Sequence, residues 1–246
     1  MQEFLHELLQ FRKKIIKSLI DIKLTQYNPS YYHETIVPNA TYSPWKSNAQ
    51  FQEVYEVASA LTLIDEYRAF NLWDLVSQTN HLHGNILEVG VWRGGTACLI
   101  ARASLNNGTV YLADTFEGVV KTGENDSFYK GGEHADTSEY DVIKGLNKLG
   151  VKNWKILKGV FPDEHAEQVK DLKFRFCHID VDVYQSAKDV FEYVWPRLTI
   201  GGIVIFDDYG FLRCEGVTKL IDELSLKNGV KMYNLNGQAV IIKHSA

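Results

Sequence analysis

From residue 84 onward, short apolar runs alternate regularly with longer amphipathic ones. Runs at 85–90, 109–114, 153–157, 174–180 and 202–206 have the length and composition of buried strands. Between them, 3.6-residue periodicity predicts helices over 95–104, 138–149, 162–169, 184–195 and 216–226. Their ends carry the expected punctuation: Gly150 after the second, Pro162 in the first turn of the third, Pro196 after the fourth. Two last runs, 230–235 and 238–242, flank Asn236-Gly237, a strong hairpin signal. At the other end, Phe4, Leu5, Leu8, Leu9, Phe11, Ile15, Ile16, Leu19 and Ile20 recur near helical spacing over 2–20. Lys13, Lys14 and Lys17 take the wetter side, so this helix is expected to pack on the main body or on a second copy of the chain. Residues 25–50 have no period and place Pro29, Pro38 and Pro44 among Tyr31, Tyr32, His33, Tyr42 and Trp45. A loop so long is usually functional, and its aromatic content fits an arm that covers a substrate.

Five strand–helix repeats followed by a hairpin constrain the topology. Parallel strands need crossover helices, the crossovers are right-handed, and both sheet faces must be covered. The expectation is an α/β fold: a three-layer, doubly wound, Rossmann-like sheet, mostly parallel, with one antiparallel strand from the C-terminal hairpin. The chain reads as a single domain over 1–246, with the helix and arm in 1–50, the α/β core in 84–246 and no internal repeat. The polar, glycine-bearing insertion 117–137 lacks an apolar pattern and reads as a mobile lid.

Charge and composition narrow the function. With 26 Lys and Arg against 31 Asp and Glu, the net charge of −5 disfavours a nucleic-acid binder, which needs surplus cations. Cys98, Cys177 and Cys214 give neither a disulfide framework nor a zinc spacing, which fits a reducing cytoplasm. No apolar run reaches the roughly 20 residues of a membrane span, and Glu3 and Glu7 argue against a signal peptide.

In open α/β sheets, ligands bind beyond the carboxyl ends of the strands. Glu88, Asp114, Asp180 and Asp207-Asp208 fall at or just past four such ends, with Asp182 two residues beyond Asp180. The first turn, Glu88-Val89-Gly90-Val91-Trp92-Arg93-Gly94-Gly95, has Trp92 where a dinucleotide fingerprint has its second glycine. That counts against NAD or FAD and leaves room for a ligand without a pyrophosphate. Asp114 is placed to accept hydrogen bonds from ribose hydroxyls. The carboxylates form a hard, all-oxygen set suited to Mg²⁺ or Mn²⁺ rather than zinc. Asp180 and Asp182 project to one side of an extended chain, so one can hold a metal while the other takes a proton. Asp207 and Asp208 would point apart in a strand, and both can be ligands only if the chain turns at Asp208. His178 lies among Phe176, Cys177 and Ile179 and reads as a core histidine; His134 lies on the lid.

Glu88-x-Gly90 with Gly94-Gly95, then Ala-Asp-Thr-Phe-Glu-Gly at 113–118, His-Ile-Asp-Val-Asp-Val-Tyr-Gln-Ser at 178–186 and Gly-Gly-Ile-Val-Ile-Phe-Asp-Asp-Tyr at 201–209 occur in that order. This set resembles the macrocin O-methyltransferase family, S-adenosylmethionine- and magnesium-dependent enzymes that methylate sugar hydroxyls, over roughly residues 40–240. The resemblance implies a class I methyltransferase fold with Glu88, Gly90 and Asp114 holding the cofactor. Val91, Trp92, Thr96, Thr115, Phe116, Gly159 and Asp180 are expected beside them. It further implies Asp180, Asp207 and Asp208 as metal ligands and Asp182 as general base. The implied acceptor is a small molecule, a sugar or glycoside hydroxyl; a catechol-type methyltransferase and a non-catalytic binding protein are the rivals. The segment 121–137 and the first 25 residues have no counterpart in that resemblance.

Overall fold

The structure is a computed structural model that describes residues 7, 8, 10–16, 18, 33, 36 and 40–246. Pro44–Ala246 forms one compact unit, and Met1–Ser43 is a unit of its own. In the latter, residues 7, 8, 10–16 and 18 are helical; the rest of the expected helix, and most of the arm, lie outside the described residues.

In the larger unit the order is α1 (Pro44–Ser47), α2 (Ala49–Ala58), α3 (Glu66–Gln78), β1 (Asn85–Val89), α4 (Gly95–Ala103), β2 (Val110–Asp114), α5 (Glu139–Lys148) and β3 (Trp154–Lys158). It continues with β4 (Phe174–Ile179), α6 (Tyr184–Val194), β5 (Leu198–Phe206), α7 (Glu215–Glu223), β6 (Gly229–Asn234) and β7 (Gln238–Lys243). The seven strands lie in the order β3-β2-β1-β4-β5-β7-β6. Strands β1 to β5 pair in parallel, and β7 runs antiparallel to both β5 and β6. Strand order reverses between β1 and β4, which is where a doubly wound sheet opens a crevice.

Alternate strand residues build two cores. Leu87, Val89, Cys177, Ile179, Val204 and Phe206 face α6 and α7. Ile86, Leu112, Phe176, Ile203 and Ile205 face α2, α3 and α4. Helices α2 and α3 were not expected, α2 beginning at Ala49 inside the stretch read as aperiodic, and they bury Phe51, Val54, Leu72, Trp73 and Val76. The helix expected over 162–169 is reduced to one tight turn at Ala166–Gln168. Two side chains there compete for the backbone: Glu164 Oε1 accepts from Val160 N, and a His165 ring nitrogen meets Lys158 O.

The insertion 117–137 also differs from expectation, because it is anchored. Val119 and Tyr129 are buried in the α6–α7 core. Asp126, 5% exposed, accepts from the backbone N–H of Tyr184 at the start of α6. Asp136 accepts from Trp92 Nε1 at 2.9 Å and also pairs with Arg93.

Candidate active site

The register sets the site. Val89 stands beside Ile179, and Ile179 beside Phe206, so Gly90, Asp180 and Asp207 follow abreast. Gly90 takes a φ of +86°, and a Cβ there would lie 1.6 Å from Asp180 O. Only glycine lets the first turn pass this close to β4. The next residues wrap around Asp114. Its Oδ2 accepts from Val91 N at 2.7 Å and Trp92 N at 2.8 Å, and its Oδ1 from Phe116 N at 2.7 Å. Trp92 and Phe116 sit at φ +46° and +56°, left-handed values that need such support.

A cavity of about 340 Å³ opens at this edge. Of the residues expected to hold the cofactor, Gly90, Val91, Trp92, Thr96, Asp114, Thr115, Gly159 and Asp180 line it. Glu88 and Phe116 do not. Glu88 is fully buried, with Oε1 3.0 Å from His178 Nδ1, because the strand period turns it to the face covered by α4. It does not reach the cavity, and its Oε2 has no hydrogen-bond partner among the described residues. Phe116 packs against the core below. His178 is the buried core residue expected, although its Nε2 has no partner among the described residues.

Asp180, Asp182, Asp207 and Asp208 line the same cavity. Ligand atoms of Asp180 and Asp207 lie within 4.8 Å of each other and of His178; those of Asp182 and Asp208 do so with Cys214. The turn required at Asp208 is present: Asp208 has φ +66°, and Asp182 has φ +65°. Both backbones are bent left-handed, which re-aims the two carboxylates toward each other.

So many carboxylates in one half-buried place oppose ionisation. Burial, then repulsion from Asp207, Asp208 and Asp182, pushes Asp180 well above the usual carboxylate range. Burial and the charges of Asp207 and Asp182 do the same to Asp208. Asp182 is raised by burial but drawn back by the Tyr129 hydroxyl and by His134. Tyr129 OH donates to Asp182 Oδ1 at 2.6 Å and lies 3.5 Å from His134 Nε2. Asp207 accepts from Arg68 Nη1 at 2.6 Å on Oδ2 and from Gln238 Nε2 at 2.9 Å on Oδ1. Surplus negative charge on hard oxygen donors is what a divalent cation relieves, so the donor set fits Mg²⁺ or Mn²⁺.

Sequence reasoning missed Arg68, Tyr129 and Phe211, all of which line the cavity, and Leu61–Ile64 between α2 and α3. Arg68 meets Asp207 across 139 positions, and no local pattern signals that.

A doubly wound sheet of this order, with its cavity at the switch point and carboxylates along the strand ends, defines the class: a class I O-methyltransferase fold. The chain belongs to the macrocin O-methyltransferase family, whose model matches residues 21–241, and it is an O-methyltransferase. It is 29% identical over 207 residues to mycinamicin III 3''-O-methyltransferase of Micromonospora griseorubida, covering 76% of this chain and 80% of that one. To demethyldecarbamoylnovobiocin O-methyltransferase of Streptomyces niveus it is 28% identical over 186 residues, covering 69% and 70%. Among solved structures, the calicheamicin methyltransferase CalS11 has the same fold at a TM-score of 0.61 and 17% identity, covering 87% of this chain and 99% of that one. A methyltransferase of this family implies S-adenosylmethionine as methyl donor.

Proposed function

We propose that the protein transfers a methyl group from S-adenosylmethionine to a sugar hydroxyl of a glycosylated small molecule, assisted by Mg²⁺ or Mn²⁺. The observation that carries this reading is one cavity lined both by the Asp114-centred turn and by Asp180, Asp182, Asp207 and Asp208. The named relatives above support the substrate class.

The donor would lie on the Gly90–Trp92 turn, with Thr96, Asp114, Thr115 and Gly159 around it. Asp114 Oδ2 is filled by two backbone N–H groups, while Oδ1 accepts one and keeps a lone pair for a ribose hydroxyl. When bound, S-adenosylmethionine supplies an electrophilic methyl carbon and departs as the thioether. Asp180, Asp207 and Asp208 would hold the cation. A divalent cation there supplies positive charge that favours ionisation of a hydroxyl.

Asp182 would take the acceptor's proton. Its Oδ1 is engaged by Tyr129, which leaves Oδ2 as the receiving atom. The left-handed backbone of Asp182 and the Tyr129 bond orient the carboxylate, and Asp182 lines the cavity. Segment 117–137, tied to the first turn through Asp136, would exclude water above the acceptor as a lid. Free, buried Cys98, Cys177 and Cys214 are in keeping with a cytoplasmic enzyme.

Methyl transfer from labelled S-adenosylmethionine to matched panels of glycosides and catechols, with and without a chelator, tests the reading. Turnover of glycosides that stops on chelation and returns with Mg²⁺ is expected. Turnover confined to catechols would overturn the sugar assignment, and chelator-resistant turnover the metal assignment.

A further inference from the structure

Arg68 reaches the acidic end from the first turn of α3 and is 7% exposed. Its Nη1 lies 2.6 Å from Asp207 Oδ2 and 3.8 Å from Asp208 Oδ1. The rest of the guanidinium is fixed from other directions. Nε donates to Asp65 Oδ2 at 2.9 Å, and the Phe211 ring centroid lies 4.7 Å from Cζ. Asp65 is itself held as the α3 N-cap by the N–H groups of Tyr67 and Arg68, and by Asn236 Nδ2 at 2.7 Å. The partner carboxylate is equally fixed, because Gln238 holds Asp207 Oδ1 and is in turn held by Asn71. A permanent positive charge is thus built, without slack, against two of the three carboxylates read above as cation ligands.

Two consequences follow from the charge alone. With no metal present, the guanidinium balances the buried Asp207 and keeps it from turning away. With a metal approaching, the same guanidinium is a like charge a few ångströms away in a partly buried site, where repulsion is weakly screened. Each Asp207 oxygen already accepts one hydrogen bond, so a cation must use a remaining lone pair or displace Arg68.

We propose that Arg68 is an internal counter-cation sharing Asp207 and Asp208 with the divalent metal: it keeps the metal-free site assembled and lowers the affinity for the metal, so that the metal exchanges. This rests on the cation-assisted reading of the site. A purely orienting arginine would have the opposite sign, because its loss would disorder Asp207 and weaken metal binding.

The test is Mn²⁺ affinity, read from the electron paramagnetic resonance of free Mn²⁺, for wild type, Arg68→Gln, Arg68→Met and Arg68→Lys, with melting curves alongside. Gln and Met remove the charge, and both variants should bind Mn²⁺ at least about tenfold more tightly, equivalent to about 1.4 kcal/mol. Lys keeps the charge and should stay near wild type. Metal-free Gln and Met variants should melt lower, and saturating Mn²⁺ should raise their melting temperatures more than that of wild type. A merely structural arginine would lower the melting temperature without tightening Mn²⁺ binding. If wild type binds Mn²⁺ and the folded uncharged variants bind it no more tightly, the inference fails while the metal site stands. If no form binds Mn²⁺ at millimolar concentration, the metal reading falls and takes this one with it. Should the uncharged variants fold only in millimolar Mn²⁺, the inference is supported; failure to fold even then overturns it.

Discussion

Replacing Asp114 with Asn isolates the residue that holds the first turn at the cavity's edge. The Asp114 carboxylate accepts three backbone N–H groups at 2.7–2.8 Å, from Val91, Trp92 and Phe116. Two of those donors belong to residues with left-handed backbones, which would relax without it. Asn has the same shape but a single acceptor oxygen. Turned toward Val91 and Trp92, that oxygen leaves the amide NH₂ facing the Phe116 N–H; turned the other way, the mismatch doubles. At least one hydrogen bond to a charged group is lost, at about 1.5–3 kcal/mol. For a chain of this size that lowers the melting temperature by roughly 3–12 °C. A loosened turn should also weaken S-adenosylhomocysteine binding by about tenfold or more, a change of about 1.4 kcal/mol. Thermal denaturation and isothermal calorimetry on the same preparation check both. A variant with wild-type stability and affinity would refute the reasoning. Weakened binding at unchanged stability would reduce Asp114 to a ribose contact and remove its role in holding the turn.

Tyr129→Phe removes the hydroxyl that engages Asp182 Oδ1. Turnover should fall roughly 10–150-fold, the equivalent of one hydrogen bond to a charged group, with S-adenosylhomocysteine affinity unchanged by calorimetry. The metal-free protein should also lose stability as pH rises. Asp180, Asp182 and Asp208 have raised folded-state pKa values, so the folded state binds more protons than the unfolded one above the ordinary carboxylate pKa of about 3.9. That stabilisation is present at low pH and is lost as pH climbs through the folded-state values. The melting temperature of chelated protein should fall from mildly acidic to neutral pH, and saturating Mg²⁺ should flatten the slope. A slope of opposite sign, unaffected by Mg²⁺, would contradict the electrostatic account.

The sheet was legible because strands covered on both faces read as continuous apolar runs, and Phe174–Ile179 is buried at every position. The carboxyl-end rule then gathered Asp114, Asp180, Asp182, Asp207 and Asp208 from sequence, and all five line one cavity. Glu88, gathered by the same rule, does not line that cavity, because a residue near a strand end can still face a covering helix, as the two-residue period dictates here. Helices α2 and α3 carry readable spacing in Phe51, Val54 and Ala58 and in Leu72, Trp73 and Val76; they precede the repeating pattern and were not assigned. Segment 117–137 looked unanchored because its glycines and charges outnumber Val119 and Tyr129, whose burial depends on a core built by residues far along the chain. Arg68 with Asp207, and Tyr129 with Asp182, are contacts made by tertiary packing, and local sequence carries no trace of either.

The assignment of proton removal to one carboxylate is the central claim, and single-turnover methyl transfer by Asp182→Asn tests it most directly. Asn keeps the size of Asp182 and can still meet Tyr129, but it cannot take the acceptor's proton. The rate should fall by about 10²–10⁴, the usual contribution of a general base, while S-adenosylhomocysteine and Mn²⁺ bind nearly as in wild type. Part of the loss should return at higher pH, where hydroxide replaces the missing base. An Asp182→Asn enzyme that transfers methyl at the wild-type rate would contradict the account and move the base elsewhere, with His134, on the same cavity wall, the next to replace.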